Sequence, residues 1–414
     1  MQKEEISNVT IPFIVGDGIG AEIWKGTQSI MDYAVQMAYN GQREVQWKEI
    51  YAGEKSYRQC GKYLPQETIE TLQQYKIGIK GPLTTPVGGG ITSLNVALRK
   101  ALDLYSCIRP VKWFSGLPSP LNHPENVDVV IFRENTEDIY AGIEFPADSE
   151  GNLVLKSLLE EKFPFEYAKL RYSQDVGLDI KPISKQASQR IMRAAIQWAL
   201  SNQRQKITIV HKGNIMKYTE GAFRTWTYEV AEQDFKDACY SKRVWLNTLI
   251  EKGKVKANSD KAKAIEKGKI YVDDLIADNA FAKAIANPGD FDIVVTTNLN
   301  GDYLSDAFAA LVGGIGISPS ANINHETGVG LFEANHGSAE DIAGVDKANP
   351  CSLMLSGAML FDFIGWSEAA SLMRTGIIMT IQSGNVPSDL HAQLSNSHEV
   401  GTAHFCELII DNIK

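Results

Sequence analysis

Short apolar runs alternate with amphipathic stretches along this chain, and the alternation predicts an α/β fold. Compact apolar runs mark the predicted strands, which are 9–15, 127–132, 206–210 and 291–297, with candidates at 46–50 and 76–80. Apolar residues three and four apart predict helices over 184–202, with Ser184 as the candidate N-cap, and over about 219–235.

The composition fits an ordinary globular protein. The 414 residues can form two domains, and 44% hydrophobic and 22% charged residues are usual values. A net charge of −9 argues against general nucleic-acid binding. The five cysteines are scattered without a CxxC pair, which favours a reducing compartment over a disulfide framework or a zinc site. The first residues lack an apolar signal core and no apolar run is long enough for a bilayer, so we expect a cytoplasmic protein without a membrane segment.

Candidate anion-binding residues follow a Gly/Pro-rich loop after residue 80. Asn95 and Arg99 are four residues apart and share a face of a short helix that begins near Ser93, and Arg109 lies ten residues beyond Arg99. Arg133 follows the apolar strand 127–132 and is a third candidate. Guanidinium groups bind carboxylates in a planar, two-pronged manner, so the set suits a small polyanion. The plainer alternative is a loop and helix with surface arginines and an Arg133 salt bridge.

Acidic residues suggest a metal site. Asp302 and Asp306 are expected to open the helix after strand 291–297, where their spacing of four places both on one face, and Asp278 lies upstream. Carboxylates without nearby Cys or His favour Mg²⁺ or Mn²⁺. The alternative is that acidic residues stabilise a helix N-terminus. Two further residues have open roles: Tyr140, which follows Arg133, is a functional candidate or a packed aromatic, and Lys217, just past strand 206–210, is catalytic or solvating.

Two other patterns have plain explanations. Gly16, Gly18 and Ala21 match a loose dinucleotide fingerprint, but Glu44 precedes the candidate strand 46–50 instead of ending it, so we interpret the glycines as a tight turn. Segment 241–269 holds eight lysines and one arginine. With no interleaved aromatic residue beyond Trp245, it favours a solvated surface over nucleic-acid binding.

Several long motifs then indicate a family. GPLTTPVGGG, SLNVALR, NLNGDYLSDA and LFEANHGSAEDIAGVDKANP resemble segments of the isocitrate/isopropylmalate dehydrogenases, a family of metal-dependent decarboxylating enzymes, and most of all its bacterial homodimeric isocitrate-specific branch. The likeness runs from about residue 11 to about 349. It implies a fold that is not a Rossmann fold. The expected parts are a large domain (1–104 and 313–414), a small domain (105–137 and 187–312) and a dimer clasp (138–186). Segment 241–269 looks like an insertion relative to shorter members.

The resemblance implies oxidative decarboxylation of isocitrate to 2-oxoglutarate in a homodimer with shared active sites. Arg99, Arg109 and Arg133 would hold the substrate carboxylates, while Ser93 and Asn95 would select the γ-carboxylate arm and help to seat the nicotinamide.

The remaining implied roles belong to the metal and the protons. Asp302 and Asp306, with Asp278 of the partner subunit, would hold Mg²⁺ or Mn²⁺. Lys217 of the partner subunit would help to remove the hydroxyl proton, and Tyr140 would protonate the enolate carbon.

The resemblance also implies a cofactor segment that begins at His336. Its expected cofactor-binding residues are Thr84, His336, Gly337, Ser338, Ala339, Glu340, Asp341, Ile342 and Asn349. NADP-using bacterial relatives carry lysine and tyrosine at the positions of Asp341 and Ile342, and tyrosine and arginine at those of Ser388 and Ala392. A 2′-phosphate needs cationic partners, and these four positions offer none, so we expect NAD⁺.

Three alternatives remain. A 3-isopropylmalate substrate would need an apolar wall where Ser93 and Asn95 stand, so it is disfavoured. Homoisocitrate differs by one methylene and stays open. A non-catalytic regulatory subunit of a hetero-oligomer would be expected to lose catalytic or metal-binding residues, yet Tyr140, Lys217 and both Asp302 and Asp306 are present.

Overall fold

The computed structural model describes residues 8–84 and 93–413. Its strands are β1 (Asn8–Ile14), β2 (Glu44–Glu49), β3 (Ile77–Lys80), β4 (Ser106–Lys112), β5 (Asp128–Glu134), β6 (Glu144–Phe145), β7 (Leu178–Asp179), β8 (Lys206–His211), β9 (Cys239–Ser241), β10 (Ile270–Ile276), β11 (Ile293–Thr296), β12 (Pro319–Asn324), β13 (Val329–Ala334), β14 (Asn385–Val386) and β15 (His398–Glu399).

The α-helices are α1 (Gly20–Tyr39), α2 (Glu54–Cys60), α3 (Gln66–Tyr75), α4 (Leu94–Ala101), α5 (Glu150–Lys162), α6 (Pro164–Tyr167), α7 (Lys185–Ser201), α8 (Glu220–Glu229), α9 (Lys242–Glu266), α10 (Ala277–Ala286), α11 (Asn298–Ala310), α12 (Cys351–Ile364), α13 (Ser367–Gln382), α14 (Ser388–His391) and α15 (Thr402–Asn412). Within the described ranges, no helix has both the length and the apolar character that crossing a bilayer requires.

One large mixed sheet forms the frame of the molecule. Its strand order is β2-β1-β3-β13-β12-β4-β5-β11-β8-β10-β9. The ladders β13–β12, β12–β4 and β4–β5 are antiparallel, and the ladders on either side of them are parallel. A Rossmann sheet is mostly parallel with a different order, so the prediction of a non-Rossmann α/β fold is confirmed.

The two ends of the sheet are covered by different helices. Helices α1, α12, α13 and α15 pack together beside the β1 end, whereas α7 and α8 cover β5, β11 and β8. The predicted large and small domains would meet where β12 pairs with β4, through Ala321 opposite Ile108. The sheet is continuous across this boundary, and the division into domains stays a prediction.

Local details confirm some element predictions and correct others. Helix α7 matches the predicted 184–202, and Ser184 is its N-cap, because its Oγ accepts a hydrogen bond from Ala187 N at 3.1 Å. The predicted helix 219–235 is shorter, since α8 ends at Glu229 and continues as a π-helix over Val230–Asp234. Glu44 opens β2, so the candidate strand 46–50 begins two residues earlier than predicted.

The lysine-rich segment 241–269 forms mainly one long, bent helix. Helix α9 breaks at Gly253, where φ is +81°, a backbone conformation that favours glycine. Ala257 and Ala264 are its only buried residues, so the segment is a largely exposed surface element. Trp245 does not stand free on that surface: its Nε1 donates to Asn258 Oδ1 at 3.1 Å across the bend.

Candidate active site

Strands β4 and β5 place two arginines on the same face of the sheet. Arg133 pairs with Cys107, and Arg109 pairs with Ile131, so Arg109 and Arg133 point to one side. Their neighbours Ile108 and Val130 point to the other side, where they help to line an apolar cavity of about 800 Å³. The alternation of the pleat thus separates a charged face from an apolar one.

Asp302 on α11 is the centre of the charged face. Arg133 is only 1% exposed, and its Nη1 donates to Asp302 Oδ1 while its Nε donates to Asn298 Oδ1 at 2.8 Å. Arg109 Nη1 lies 3.6 Å from Asp302 Oδ1. The helix approaches so closely because of Gly301, where a Cβ would lie 2.6 Å from the Cγ of Arg133.

Asp306 lies one turn further along α11, on the same side. Its Oδ1 is 3.6 Å from Arg109 Nη1 and accepts a hydrogen bond from Asn335 Nδ2 at 3.0 Å. We expected both acids at the opening of this helix, but α11 begins at Asn298, so they occupy its second and third turns. Their position inside the helix therefore weakens the explanation that they merely stabilise its N-terminus.

Tyr140 reaches the same carboxylate from a short 3₁₀ turn, Asp138–Ala141. Its hydroxyl donates to Asp302 Oδ2, and its ring centre lies 5.0 Å from Arg133 Cζ. Burial, together with the hydrogen bond to Asp302, raises the pKa of Tyr140 to about 12. The phenol is therefore protonated at neutral pH and is able to donate a proton.

Arg99 belongs to a second buried cluster at the edge of the site. Its Nη2 donates to Glu333 Oε1 at 2.7 Å, and Lys80 Nζ lies 2.6 Å from Glu333 Oε2. Asn322 Nδ2 also donates to Glu333 Oε1 at 2.7 Å. Burial opposes a charged carboxylate here, but Lys80 and Arg99 outweigh it and hold the pKa of Glu333 well below its usual range.

Sequence reasoning missed Lys80, Glu333 and Asn322. A signal was present, because Lys80 and Glu333 stand in otherwise apolar strand sequences, where a charge is buried only with partners. That signal identifies a buried charge, but it does not show that Arg99 is the partner.

Ser93 and Asn95 stand at the start of α4. Ser93 is the residue before the helix and is half-buried, and Asn95 Oδ1 is buried without a hydrogen-bond partner among the described residues. The Nε atoms of Arg99 and Arg109 are also buried, and neither has a hydrogen-bond partner among the described residues. Positions 85–92, the rest of the predicted substrate loop, lie outside the described residues.

The predicted cofactor segment packs against the first glycine-rich turn. Ser338 O accepts from Ile19 N at 2.9 Å, and Gly18, with φ +55°, leaves no room for a side chain beside Ser338. Thr84 Oγ1 donates to Glu340 Oε1 at 2.9 Å and lies 2.8 Å from Ser338 Oγ, whose hydroxyl is able to donate to it. The glycines thus serve a close backbone contact, which agrees with our interpretation of them as a tight turn.

The rest of this segment has a partly exposed stretch, up to Ile342, and a part that is held by side-chain hydrogen bonds at Asn349. His336, Gly337, Ala339, Asp341 and Ile342 continue along it, with Glu340 and Asp341 exposed and Ala339 at φ +41°. His336 Nδ1 lies 2.9 Å from Gly337 O, and its Nε2 is buried without a partner among the described atoms.

Asn349 is hydrogen-bonded to Asp389, a residue that sequence reasoning did not identify. Its Nδ2 lies 3.1 Å and 3.2 Å from the two carboxylate oxygens of Asp389, and its Oδ1 accepts from Cys351 N at 3.0 Å. Next to Asp389, Ser388 Oγ donates to Lys347 O at 3.0 Å. Ser388 therefore lies beside the end of the segment that holds Asn349.

Lys217 and Asp278 stand apart from this cluster. Among the described residues, the hydrogen bonds and ion pairs of Asp302 and Asp306 involve neither of them. Asp278 pairs with Lys212 Nζ at 2.5 Å, and Lys217 lies on an exposed loop between β8 and α8.

Asp302 and Asp306 are the two candidate metal ligands that the described part of one chain brings together. In the described ranges, no three His, Cys, Asp or Glu side chains come together as a set of metal ligands. Asp302 and Asp306 offer two carboxylates on adjacent turns, a donor type that suits a hard divalent cation such as Mg²⁺ or Mn²⁺. A third carboxylate from a second subunit would complete such a set.

With this geometry described, comparison with known proteins identifies the family. The sequence model of the isocitrate/isopropylmalate dehydrogenase family matches residues 10–409. The chain belongs to the isocitrate/isopropylmalate dehydrogenase family. An isocitrate dehydrogenase [NADP] of Staphylococcus epidermidis is 50% identical over 405 residues, covering 98% of this chain and 95% of that protein.

Other members of the isocitrate/isopropylmalate dehydrogenase family agree. An isocitrate dehydrogenase [NADP] of Streptococcus salivarius is 50% identical over 381 residues, 92% of this chain and 90% of that protein. The crystal structure of an isocitrate dehydrogenase from Methylococcus capsulatus superposes with a TM-score of 0.77 at 33% identity, covering 98% of this chain and 99% of that one. The family resemblance seen in the motifs is confirmed over nearly the whole chain.

Proposed function

We propose that this protein catalyses the metal-dependent oxidative decarboxylation of isocitrate to 2-oxoglutarate and CO₂, with NAD⁺ as the hydride acceptor. The observation that carries the proposal is the convergence of Arg109, Arg133 and Tyr140 on the Asp302 carboxylate. It combines anion binding, a metal ligand and a proton donor in one cluster. The names of the similar proteins support isocitrate as the substrate.

The arginines bind and orient the substrate. Arg99, Arg109 and Arg133 receive its carboxylates, and the unpartnered Nε donors of Arg99 and Arg109 are available to an anionic ligand. Ser93 and Asn95 lie at the start of α4 on the same wall and offer a hydroxyl and an amide to the γ-carboxylate arm and the nicotinamide. A polar wall of this kind disfavours an isopropyl group.

Asp302 and Asp306, with Asp278 of the partner subunit, would hold the metal. When bound, Mg²⁺ or Mn²⁺ acidifies the substrate hydroxyl and stabilises the negative charge that remains after CO₂ departs. Lys217 of the partner subunit helps to remove the hydroxyl proton as hydride leaves for the cofactor. Tyr140 then gives its proton to the carbon that lost CO₂.

The choice of NAD⁺ follows from the charges of the cofactor segment. Thr84, Ser338 and Asn349 would line the cofactor; Thr84 is hydrogen-bonded to Ser338, and Asn349 to Asp389. Asp341 and Glu340 are exposed carboxylates where a 2′-phosphate would require cations. The relatives from Staphylococcus and Streptococcus are named for NADP. NAD⁺ use is therefore the part of the proposal in which this chain departs from them.

A homodimer follows from the exposed apolar surface and the separated residues. Within 138–186, exposed apolar side chains gather on and after α5: Leu153, Val154, Leu158, Phe163, Phe165 and Tyr172. Ile215 and Tyr218, on either side of Lys217, are 69% and 91% exposed. Such surfaces mark protein interfaces. A second copy covering them would bring Lys217 and Asp278 into the neighbouring site.

The substrate and cofactor are tested by initial rates with Mg²⁺. Isocitrate and homoisocitrate are each offered with NAD⁺ and with NADP⁺. We expect the highest kcat/KM with isocitrate and NAD⁺. A higher value with NADP⁺ would refute the cofactor choice and keep the reaction. A higher value with homoisocitrate would replace the substrate, and absence of turnover would favour a regulatory subunit.

Shared active sites are tested by mixing two inactive variants. A Tyr140→Phe chain and a Lys217→Met chain are co-refolded, so that each hybrid dimer has one site with both native residues. We expect recovery of about a quarter of the wild-type activity, because half of the random dimers are hybrids with one intact site. If the two variants stay inactive when mixed, the proposal that each active site contains residues of both subunits is contradicted.

A further inference from the structure

A buried ion cluster lies below Tyr140 and outside the set of residues described so far. Lys181 Nζ is 2.8 Å from Asp138 Oδ1 and 2.8 Å from Glu220 Oε1. Both carboxylate side chains are fully buried, and the Lys181 side chain is 16% exposed. Burial opposes the ammonium, but the hydrogen bonds to Asp138 and Glu220 outweigh it and raise the pKa of Lys181. The Lys181 ammonium therefore keeps its charge at neutral pH.

The two carboxylates anchor the N-terminus of α11. Asp138 Oδ2 accepts from Leu299 N at 2.9 Å. Glu220 accepts from Thr297 Oγ1 and from Asn300 Nδ2, both at 2.9 Å. Negative charge at this end of a helix is favourable. Because α11 carries Asp302 and Asp306, the cluster holds the helix that supplies the metal carboxylates.

Asp138 connects the cluster to Tyr140, and we call this connection the Tyr140 arm. Asp138 lies two residues before it, on the same 3₁₀ turn, and has φ +73°, a conformation that non-glycine residues rarely adopt. The Asp138 carboxylate also accepts from Ile139 N at 2.8 Å, and Asp138 N donates to Pro182 O at 3.0 Å. The position of the turn thus depends on Lys181 and its neighbour Pro182.

Glu220 connects the cluster to Lys217, and we call this connection the Lys217 arm. The loop from Lys212 to Glu220 carries Lys217, and Glu220 closes it, because its Oε2 accepts from Lys212 N at 3.0 Å. The two ends of the loop are also in close contact, since a Cβ on Gly213 would lie 2.7 Å from Gly221 Cα. The position of Lys217 therefore depends on the same carboxylate that binds Lys181.

We propose that Lys181 is a positioning residue that fixes Tyr140 and the Lys217 loop relative to α11. It thereby couples the two active sites of the dimer. The inference rests on the proposed function, in which Tyr140 serves the site of its own subunit and Lys217 serves that of the partner. Loss of the ammonium leaves two buried carboxylates without their cation, so both arms shift. A single lysine then affects two sites.

The test uses the hybrid dimer with one intact site. The first chain carries Tyr140→Phe and the second carries Lys217→Met, so the intact site combines Tyr140 of the second chain with Lys217 of the first. Lys181→Met is added to either chain. We expect kcat of the intact site to fall at least ~10-fold in both arrangements, since displacement of a catalytic group by about 1 Å costs up to ~100-fold. The KM for isocitrate should change less than ~3-fold, because the arginines lie outside the cluster.

Two variants control for general destabilisation. Lys185→Met removes an exposed lysine on α7 that pairs with Glu229 at 2.7 Å, and it should leave kcat unchanged. Lys181→Arg keeps the charge and should recover part of kcat. If Lys181→Met does not fold, as judged by circular dichroism, Lys181→Gln takes its place.

Each outcome decides one step. A fall of kcat in only one arrangement overturns the coupling, and a fall in neither overturns the positioning role. A parent hybrid without activity refutes shared sites, and the coupling with them. In that case kcat of the Lys181→Met homodimer still tests whether Lys181 positions Tyr140. An unchanged kcat would show that it does not.

Discussion

The proposed substrate half and the proposed cofactor half of the site are held in different ways. Arg133, Glu333 and Lys80 are almost completely buried, and each is paired with another charged side chain. Around Asp341, the side chains are exposed and the backbone contacts provide the support. A buried charge network resists substitution because each partner depends on the others. An exposed loop permits a change of ligand without a cost to the fold.

The largest effect is expected at Arg133. Arg133→Met removes a buried cation and leaves Asp302 without its nearest counter-charge. We expect kcat/KM for isocitrate to fall ~10²–10⁴-fold, because truncating a buried charge pair costs about 2–5 kcal/mol or more. Steady-state rates with saturating NAD⁺ and Mg²⁺ measure it.

The matched control for Arg133 is Arg193→Met. Arg193 pairs with Asp234 at 2.7 Å, with both side chains about two-fifths exposed, 42% and 41%. A surface pair of this kind contributes at most about 1 kcal/mol, so activity should be unchanged. Equal losses at Arg133 and Arg193 would contradict the contrast between buried and exposed charge.

A smaller effect, on stability, is expected at Glu333. Glu333→Gln leaves Lys80 and Arg99 buried without their carboxylate, and we expect the free energy of unfolding at pH 7 to fall by about 3–5 kcal/mol. The pKa of Glu333 is depressed in the folded protein, so its contribution is complete above the unfolded value of about 4.3 and is lost as pH falls toward the folded value.

Urea unfolding at several pH values measures this difference. The gap between wild type and Glu333→Gln should be the same at pH 7 and pH 6 and should narrow below about pH 4.3. Glu70→Gln, an exposed acid on α3, should show no gap. A gap that widens on acidification would show that Glu333 is not the carboxylate that neutralises Lys80 and Arg99.

The same contrast explains what could be predicted from sequence. Apolar periodicity was sufficient for α7 and its Ser184 cap, and long motifs were sufficient for the family, because both are local. The partner of Arg99 is Glu333, far away in sequence, and the link from Lys181 to Asp138 and Glu220 likewise joins separate segments. No local pattern specifies such pairs. The break of α8 into a π-helix had no signal that we recognised either.

A moderate change of specificity is expected in the cofactor half. Asp341→Lys combined with Ile342→Tyr places a cation and a phenol where the family resemblance implies that NADP-using members carry them. We expect the ratio of kcat/KM for NADP⁺ to that for NAD⁺ to rise ~10–100-fold, since replacing a like charge by an opposite one near a phosphate is worth a few kcal/mol. Thermal unfolding should be unchanged.

The control for this switch is Glu70→Lys, which makes the same change of charge at an exposed position on α3. It should leave the cofactor ratio unaltered, because Glu70 lies outside the cofactor segment and interactions between exposed charges are weakened by salt. A ratio that rises equally in Glu70→Lys would attribute the effect to net charge. A ratio that does not move in the double variant would mean that other residues read the 2′-phosphate.

The smallest expected effect concerns the protonation of Tyr140. Because burial and the hydrogen bond to Asp302 raise its pKa to about 12, the phenol keeps its proton throughout the usual assay range. In the metal-free protein, the tyrosinate absorbance should therefore rise equally in wild type and in Tyr140→Phe between pH 7 and pH 10. A tyrosine with an ordinary pKa near 10 would be about half ionised at pH 10, and wild type would then gain about half a tyrosinate more than the variant. Such an excess would show that the buried half of the site does not control its proton donor as the hydrogen bond implies.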